Sequence, residues 1–111
     1  MPGESGNGIK KKHESDREYY VKLVDDNHYI GRIDSSAIEG LKGVDIDQIS
    51  DFEQCLFSGH NDTCWSCSME LSNGTCLTHR NLGGYIRMRI PGMANLLEVP
   101  VQRIARLIVH H

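Results

Sequence analysis

Hydrophobic and polar positions along the chain change period several times, and each change marks an expected element. Tyr19 to Val24 and Tyr29 to Ile33 are β-favouring, and Asp25-Asp26-Asn27-His28 between them is turn chemistry, so the pattern predicts a β-hairpin. Asp34-Ser35-Ser36 follows, with Ser36 and Glu39 at capping-box spacing, which predicts a short helix ended by Gly40 and Gly43. A stronger helix is expected behind Asp45, because Ile46, Ile49, Phe52 and Leu56 recur every three or four residues on one face. Tyr85 to Ile90 alternates cleanly, so a strand should send Ile86, Met88 and Ile90 inward and Tyr85, Arg87 and Arg89 outward. Pro91-Gly92 then reads as a turn, and Pro100 opens a last expected helix with Val101, Ile104, Ala105 and Ile108 on one stripe.

Between Gly59 and Gly84 no period stands out, and an irregular loop of that length inside a small domain needs some other constraint. The expected class is therefore α+β: a β-hairpin, two or three helices and a long loop held by a bound metal. Residues 1–16, with Gly3, Gly6, Gly8 and the run Lys10-Lys11-Lys12, are expected to form a flexible arm, and residues 17–111 a single domain. Residues 1–18 contain no apolar run, so the default compartment is reducing and intracellular, cytoplasm or nucleus. No stretch reaches the length of a membrane helix.

The constraint on the loop is expected from Cys64, Cys67, Cys76 and His79. Cys64-Trp65-Ser66-Cys67 and Cys76-Leu77-Thr78-His79 each separate two soft ligands by two residues, the spacing with which a tight turn delivers both to one tetrahedral Zn²⁺. A closed four-ligand shell of this type is structural. Two readings stand beside it. Cys55, Cys64, Cys67 and Cys76 could form two disulfides in an exported protein, where Asn61-Asp62-Thr63 and Asn73-Gly74-Thr75 would be glycosylation triplets, or they could be free thiols. Cys55 with His60 could begin a second site.

Charge is unevenly spread. Residues 1–63 hold seven Lys/Arg against thirteen Asp/Glu, while residues 80–111 hold five Arg and a single acid, Glu98. An all-arginine basic third suits phosphate, because the guanidinium fork matches its geometry, and Arg80, Tyr85, Arg87, Arg89, Arg103 and Arg106 are the expected nucleic-acid contacts. Ordinary solvation of a half-exposed strand is the plain alternative. No catalytic grouping stands out: Ser66, Ser68 and Ser72 lie near His79 in sequence only, there is no P-loop, and His110 and His111 carry no assigned role.

A cysteine soon after a helix, then Gly84-Tyr85-Ile86-Arg87, a variable loop and then Val101-Gln102-Arg103-Ile104-Ala105-Arg106-Leu107 together resemble the leading half of His-Me finger (HNH-type) homing endonucleases with zinc-binding loops. The resemblance spans roughly residues 50–109. It implies a DNA-gripping strand and a following helix. Gln102 stands where the family has histidine, and the family's Ser-His-Leu-Cys-like block, which supplies the general base, would fall beyond His111. The resemblance thus implies a zinc-binding module that binds DNA without cutting it. A protein-interaction or regulatory module is the alternative, and a nuclease fragment or zinc hydrolase the third.

Overall fold

In the computed structural model, which describes residues 11–12, 17–58 and 63–110, every regular element apart from two 3-10 turns is a β-strand. The strands are β1 (Lys11–Lys12), β2 (Glu18–Leu23), β3 (His28–Glu39), β4 (Ile49–Ser58), β5 (Thr63–Leu71), β6 (Cys76–Arg80), β7 (Gly83–Arg89), β8 (Leu97–Pro100) and β9 (Ile104–His110). They form one antiparallel sheet in the order β6-β5-β4-β9-β2-β3-β7-β8, with β1 added to β3. The 3-10 turns Ile46–Gln48 and Val101–Arg103 lead into β4 and β9. No helix among the described residues is long and apolar enough to cross a membrane.

The expected α+β fold is overturned, because all three expected helices are extended chain. Ser36 to Glu39 is the end of β3, Ile49 to Leu56 lies in β4, and Ile104 to Ile108 lies in β9. The first came from the capping-box spacing of Ser36 and Glu39, which an extended chain also accommodates, and the other two share one physical cause, a bulge. An extra residue bulges out at Ser50 in β4, where pairing to β5 shifts between Ile49 and Asp51, and at Ala105 in β9, opposite Lys22 and Leu23; another does so at Asp34 in β3, where pairing to β7 shifts between Ile33 and Ser35. A bulge puts two residues opposite one, so inward positions flanking it are three apart and not two. Inward Ile49 and Phe52, and inward Ile104 and Leu107, thereby imitate the i, i+3 spacing of a helix.

The loop expected over residues 59–84 is likewise replaced, by a β5–β6 hairpin and the start of β7. Trp65, Cys67, Met69 and Leu71 alternate with Ser66, Ser68 and Glu70, and Cys67, Met69 and Leu71 are buried. The expected N-terminal hairpin is present, with Tyr19 opposite Gly31 and Tyr20 opposite Ile30. So is the expected strand β7, where Ile86 and Met88 are buried. Of the arm at residues 1–16, all but Lys11–Lys12 lies outside the described residues.

The sheet coils so that one face closes on itself. Ile38 and Ile86 from β3 and β7 share an apolar space with Phe52, Ile104 and Leu107 from β4 and β9, plugged by Ile46 and Val101 of the two turns. Gln54 is the one polar side chain set deep in this face of β4. It is 4% exposed and its Nε2 donates to the carbonyls of Val101 and Ile104, both at 2.8 Å, tying the second turn to the strand. Its Oε1 is buried with no partner among the described residues. Close backbone approach is fixed at two glycines facing one another's strands. A Cβ on Gly31 would lie 2.5 Å from the Arg89 carbonyl oxygen, and Gly84 has φ +89°.

Candidate functional site

The four expected zinc ligands sit on β5 and β6, where alternation separates them. Cys64 shares the outer face with Ser66 and Ser68, while Cys67 turns inward and is 2% exposed. A Cys-x-x-Cys spacing that gathers two thiolates in a turn divides them between faces in a strand. Cys76 pairs with Glu70 on the outer face, six residues along β5 from Cys64 and hence about 20 Å away at the rise of a strand. His79 does lie directly opposite Cys67, whose Sγ donates to the His79 carbonyl at 3.4 Å. Among the described residues no group of three or more His, Cys, Asp or Glu could hold a metal ion. All four cysteines are free thiols, and burial pushes the Cys67 thiol above its ordinary range. His60 lies outside the described residues.

Ser66 and Ser68 face outward and His79 inward, so these serines and the imidazole do not meet. Cys55 lies opposite Ser66 on the outer face.

The expected arginine contacts fall into separate places. Arg80 is on β6, six strand positions from the β7 row of Tyr85, Arg87 and Arg89. Arg87 lies over the Tyr85 ring, 4.9 Å from its centroid, and binds Glu98 of β8 with Nε and Nη2 at 3.2 and 3.1 Å. Arg103 meets Asp25 at 3.0 Å. Arg106 makes a two-pronged contact with Asp51 at 3.0 and 3.4 Å, which also raises its pKa. These three guanidinium groups are matched one to one with carboxylates, the arrangement of a scaffold.

Arg89 is different. On the outer face it stands directly opposite Arg32 of β3, which stands opposite Glu18 of β2, which stands opposite His110 of β9. The row thus sets two guanidinium groups side by side, with Glu18 next to Arg32. Asp34 reaches Arg89 only at 4.0 Å. The row opens into a cleft of ≈ 690 Å³ whose charged walls are Arg17, Arg32, Arg89 and Glu18, with His110 at one end and Pro91, Gly92 and Met93 along its rim. Arg17 is held in place by a 2.7 Å donation to the Asp47 carbonyl. It is the cleft in which cationic side chains from separate strands converge most clearly.

Arg17, Arg32 and His110 were not among the residues expected from the sequence. Arg32 had a readable signal, since it stands next to inward Ile33 in an expected strand and therefore on the outer face. Its position opposite Arg89 did not, because that register depends on the bulge at Asp34. Compared with protein-family models, with characterised proteins and with solved structures, the chain matches none.

Proposed function

We propose that this chain is a non-catalytic binding module that takes the phosphate backbone of a single-stranded nucleic acid in the cleft walled by Arg17, Arg32 and Arg89. The observation that carries the reading is the direct opposition of Arg32 and Arg89 across β3 and β7. A phosphate between two adjacent guanidinium groups accepts charge-assisted hydrogen bonds from both. A recess of ≈ 690 Å³ admits a single strand more readily than the broad convex surface of a duplex. Pro91 and Met93 on its rim offer apolar surface to unstacked bases.

Net charge of −3 gives a polyanion no general attraction, so binding rests on the local arginine cluster. Binding should accordingly be weak and local, with few phosphates engaged. Fluorescence anisotropy of a labelled oligothymidine at low salt tests it. Arg89→Ala is expected to weaken binding by about tenfold, equally for different base sequences, as loss of a phosphate contact does. Arg106→Ala, which removes an ion-paired arginine outside the cleft, should leave affinity within about twofold. Equal affinity of wild type and Arg89→Ala would end the proposal.

A second reading, a protein-interaction module, rests on a different observation. The inward stripe of β4 and β5 continues past the last β4–β9 pair, Glu53 with Arg106, so that Leu56, opposite Trp65, is 52% exposed. Leu56→Asp should then abolish capture of a protein partner while leaving oligothymidine binding intact.

A further inference from the structure

Among the described residues the main path of the sheet runs from β6 to β8, and these two end strands are not equally protected. β8 has four residues and closes on Pro100, which has no N–H to offer a further strand. β6, Cys76–Arg80, carries neither proline nor a register shift against β5, and its only charge is Arg80 at one end. The direction of its free backbone groups follows from the bonds at either end of the β5–β6 ladder, Asn81 N to Trp65 O at 2.7 Å and Leu71 N to Thr75 O at 2.8 Å. Bonded and non-bonded pairs alternate in an antiparallel ladder, so the bonded pairs are Cys67 with His79 and Met69 with Leu77. The N–H and C=O groups of Cys76, Thr78 and Arg80 therefore point away from the sheet.

We propose that a second copy of this chain pairs antiparallel along this edge, with a two-fold axis at Thr78. That register is the one that uses all three outward-pointing residues: Thr78 bonds Thr78 of the other copy, and Cys76 bonds Arg80 at each end. No like charges oppose one another. On the outer face the strands then align Glu70, Cys76 and the second copy's Arg80 in one row, and the symmetric row at the other end. Glu70 and Arg80 have exposed side chains with no hydrogen-bond or ion-pair partner described within the chain. Two strand spacings separate them across the seam, about 10 Å between Cα atoms, a gap that the combined length of Glu and Arg spans over the short Cys76 side chain. The seam thus supplies a partner to both. This proposal uses the opposite end of the sheet from the cationic cleft and is independent of nucleic-acid binding.

Sedimentation equilibrium over a range of concentrations tests it. The wild-type chain is expected to reach a dimer mass reversibly. Thr78→Pro, which removes an N–H directed away from the sheet, should remain monomeric with an unchanged β-type circular dichroism spectrum. Charge exchange provides an arm that does not alter the backbone. Glu70→Arg should raise the dimer dissociation constant about tenfold by placing like charges in both rows, and adding Arg80→Glu in the same chain should restore it. A wild-type chain that stays monomeric at millimolar concentration overturns the proposal. So does a dimer unaffected by Glu70→Arg, or one that the double exchange fails to restore.

Discussion

Arginine serves two ends on this one sheet, and the contrast lies in what stands beside each guanidinium group. Arg87, Arg103 and Arg106 each face a carboxylate at about hydrogen-bond distance, Glu98, Asp25 and Asp51. Arg89 faces Arg32, and both turn toward the cleft that Arg17 also lines. The first group fastens neighbouring segments to one another. The second brings three guanidinium groups to one concave place that holds the single carboxylate of Glu18. Residue type alone did not distinguish them; cross-strand register did.

Register between β3 and β7 is therefore the feature to break first. Gly84→Ala should have the largest effect of any single substitution, because an added Cβ would clash with the Ala37 carbonyl at a backbone φ of +89°. A loss of about 3 kcal/mol or more is expected in urea denaturation, with cleft binding lost as β7 shifts. Gly31→Ala, 2.5 Å from the Arg89 carbonyl oxygen, should cost about 2 kcal/mol and reduce oligothymidine affinity more than stability alone explains, since it displaces Arg89 itself.

A comparable loss on the opposite half of the sheet should leave the cleft untouched. Gln54→Leu removes two donations to buried carbonyls, and about 2 kcal/mol is expected to go, offset in part because the unpartnered Oε1 goes too. Oligothymidine affinity of the folded variant should match wild type. Smaller again is Asp51→Ala, which frees Arg106 from a half-exposed pair and should change stability by at most about 1 kcal/mol. Any gain in affinity from it would extend the site onto β9.

The smallest expected effect is alkaline. Burial raises the pKa of both Cys67 and Tyr19 in the folded chain, so the folded state holds their protons longer than the unfolded state does. Their contribution to stability is complete below the ordinary thiol and phenol ranges and is lost as pH rises through the folded values. Urea midpoints should fall from about pH 9 upward, and less steeply in Cys67→Ala. Under native conditions iodoacetamide should label exposed Cys55 and Cys76 well before Cys67.

How much of this was readable from the sequence follows from where the period of two survives. The β2–β3 hairpin and the alternation of Tyr85 to Ile90 needed no long-range information, and both are found. The bulges at Ser50 and Ala105 disguised two strands as helices, and the capping-box spacing of Ser36 and Glu39 disguised the end of β3 as a third. Polar Gln54 on the inward face of β4 further hid the alternation of Phe52 and Leu56. Trp65 to Leu71 did alternate in plain view, but the cysteine spacing drew it into a metal-bound loop that the strand geometry does not form. The expected arginine row on β7 was legible as a face, whereas its division between ion pair and cleft required the partners contributed by β3 and β8.

The salt dependence of oligothymidine binding bears most directly on the claim that converging guanidinium groups form a phosphate site. Two engaged phosphates, one between Arg32 and Arg89 and one at Arg17, predict that the logarithm of affinity falls linearly with the logarithm of salt concentration with a slope of about −1.4 for a single strand. A slope near zero, or no binding at the lowest salt, would contradict it.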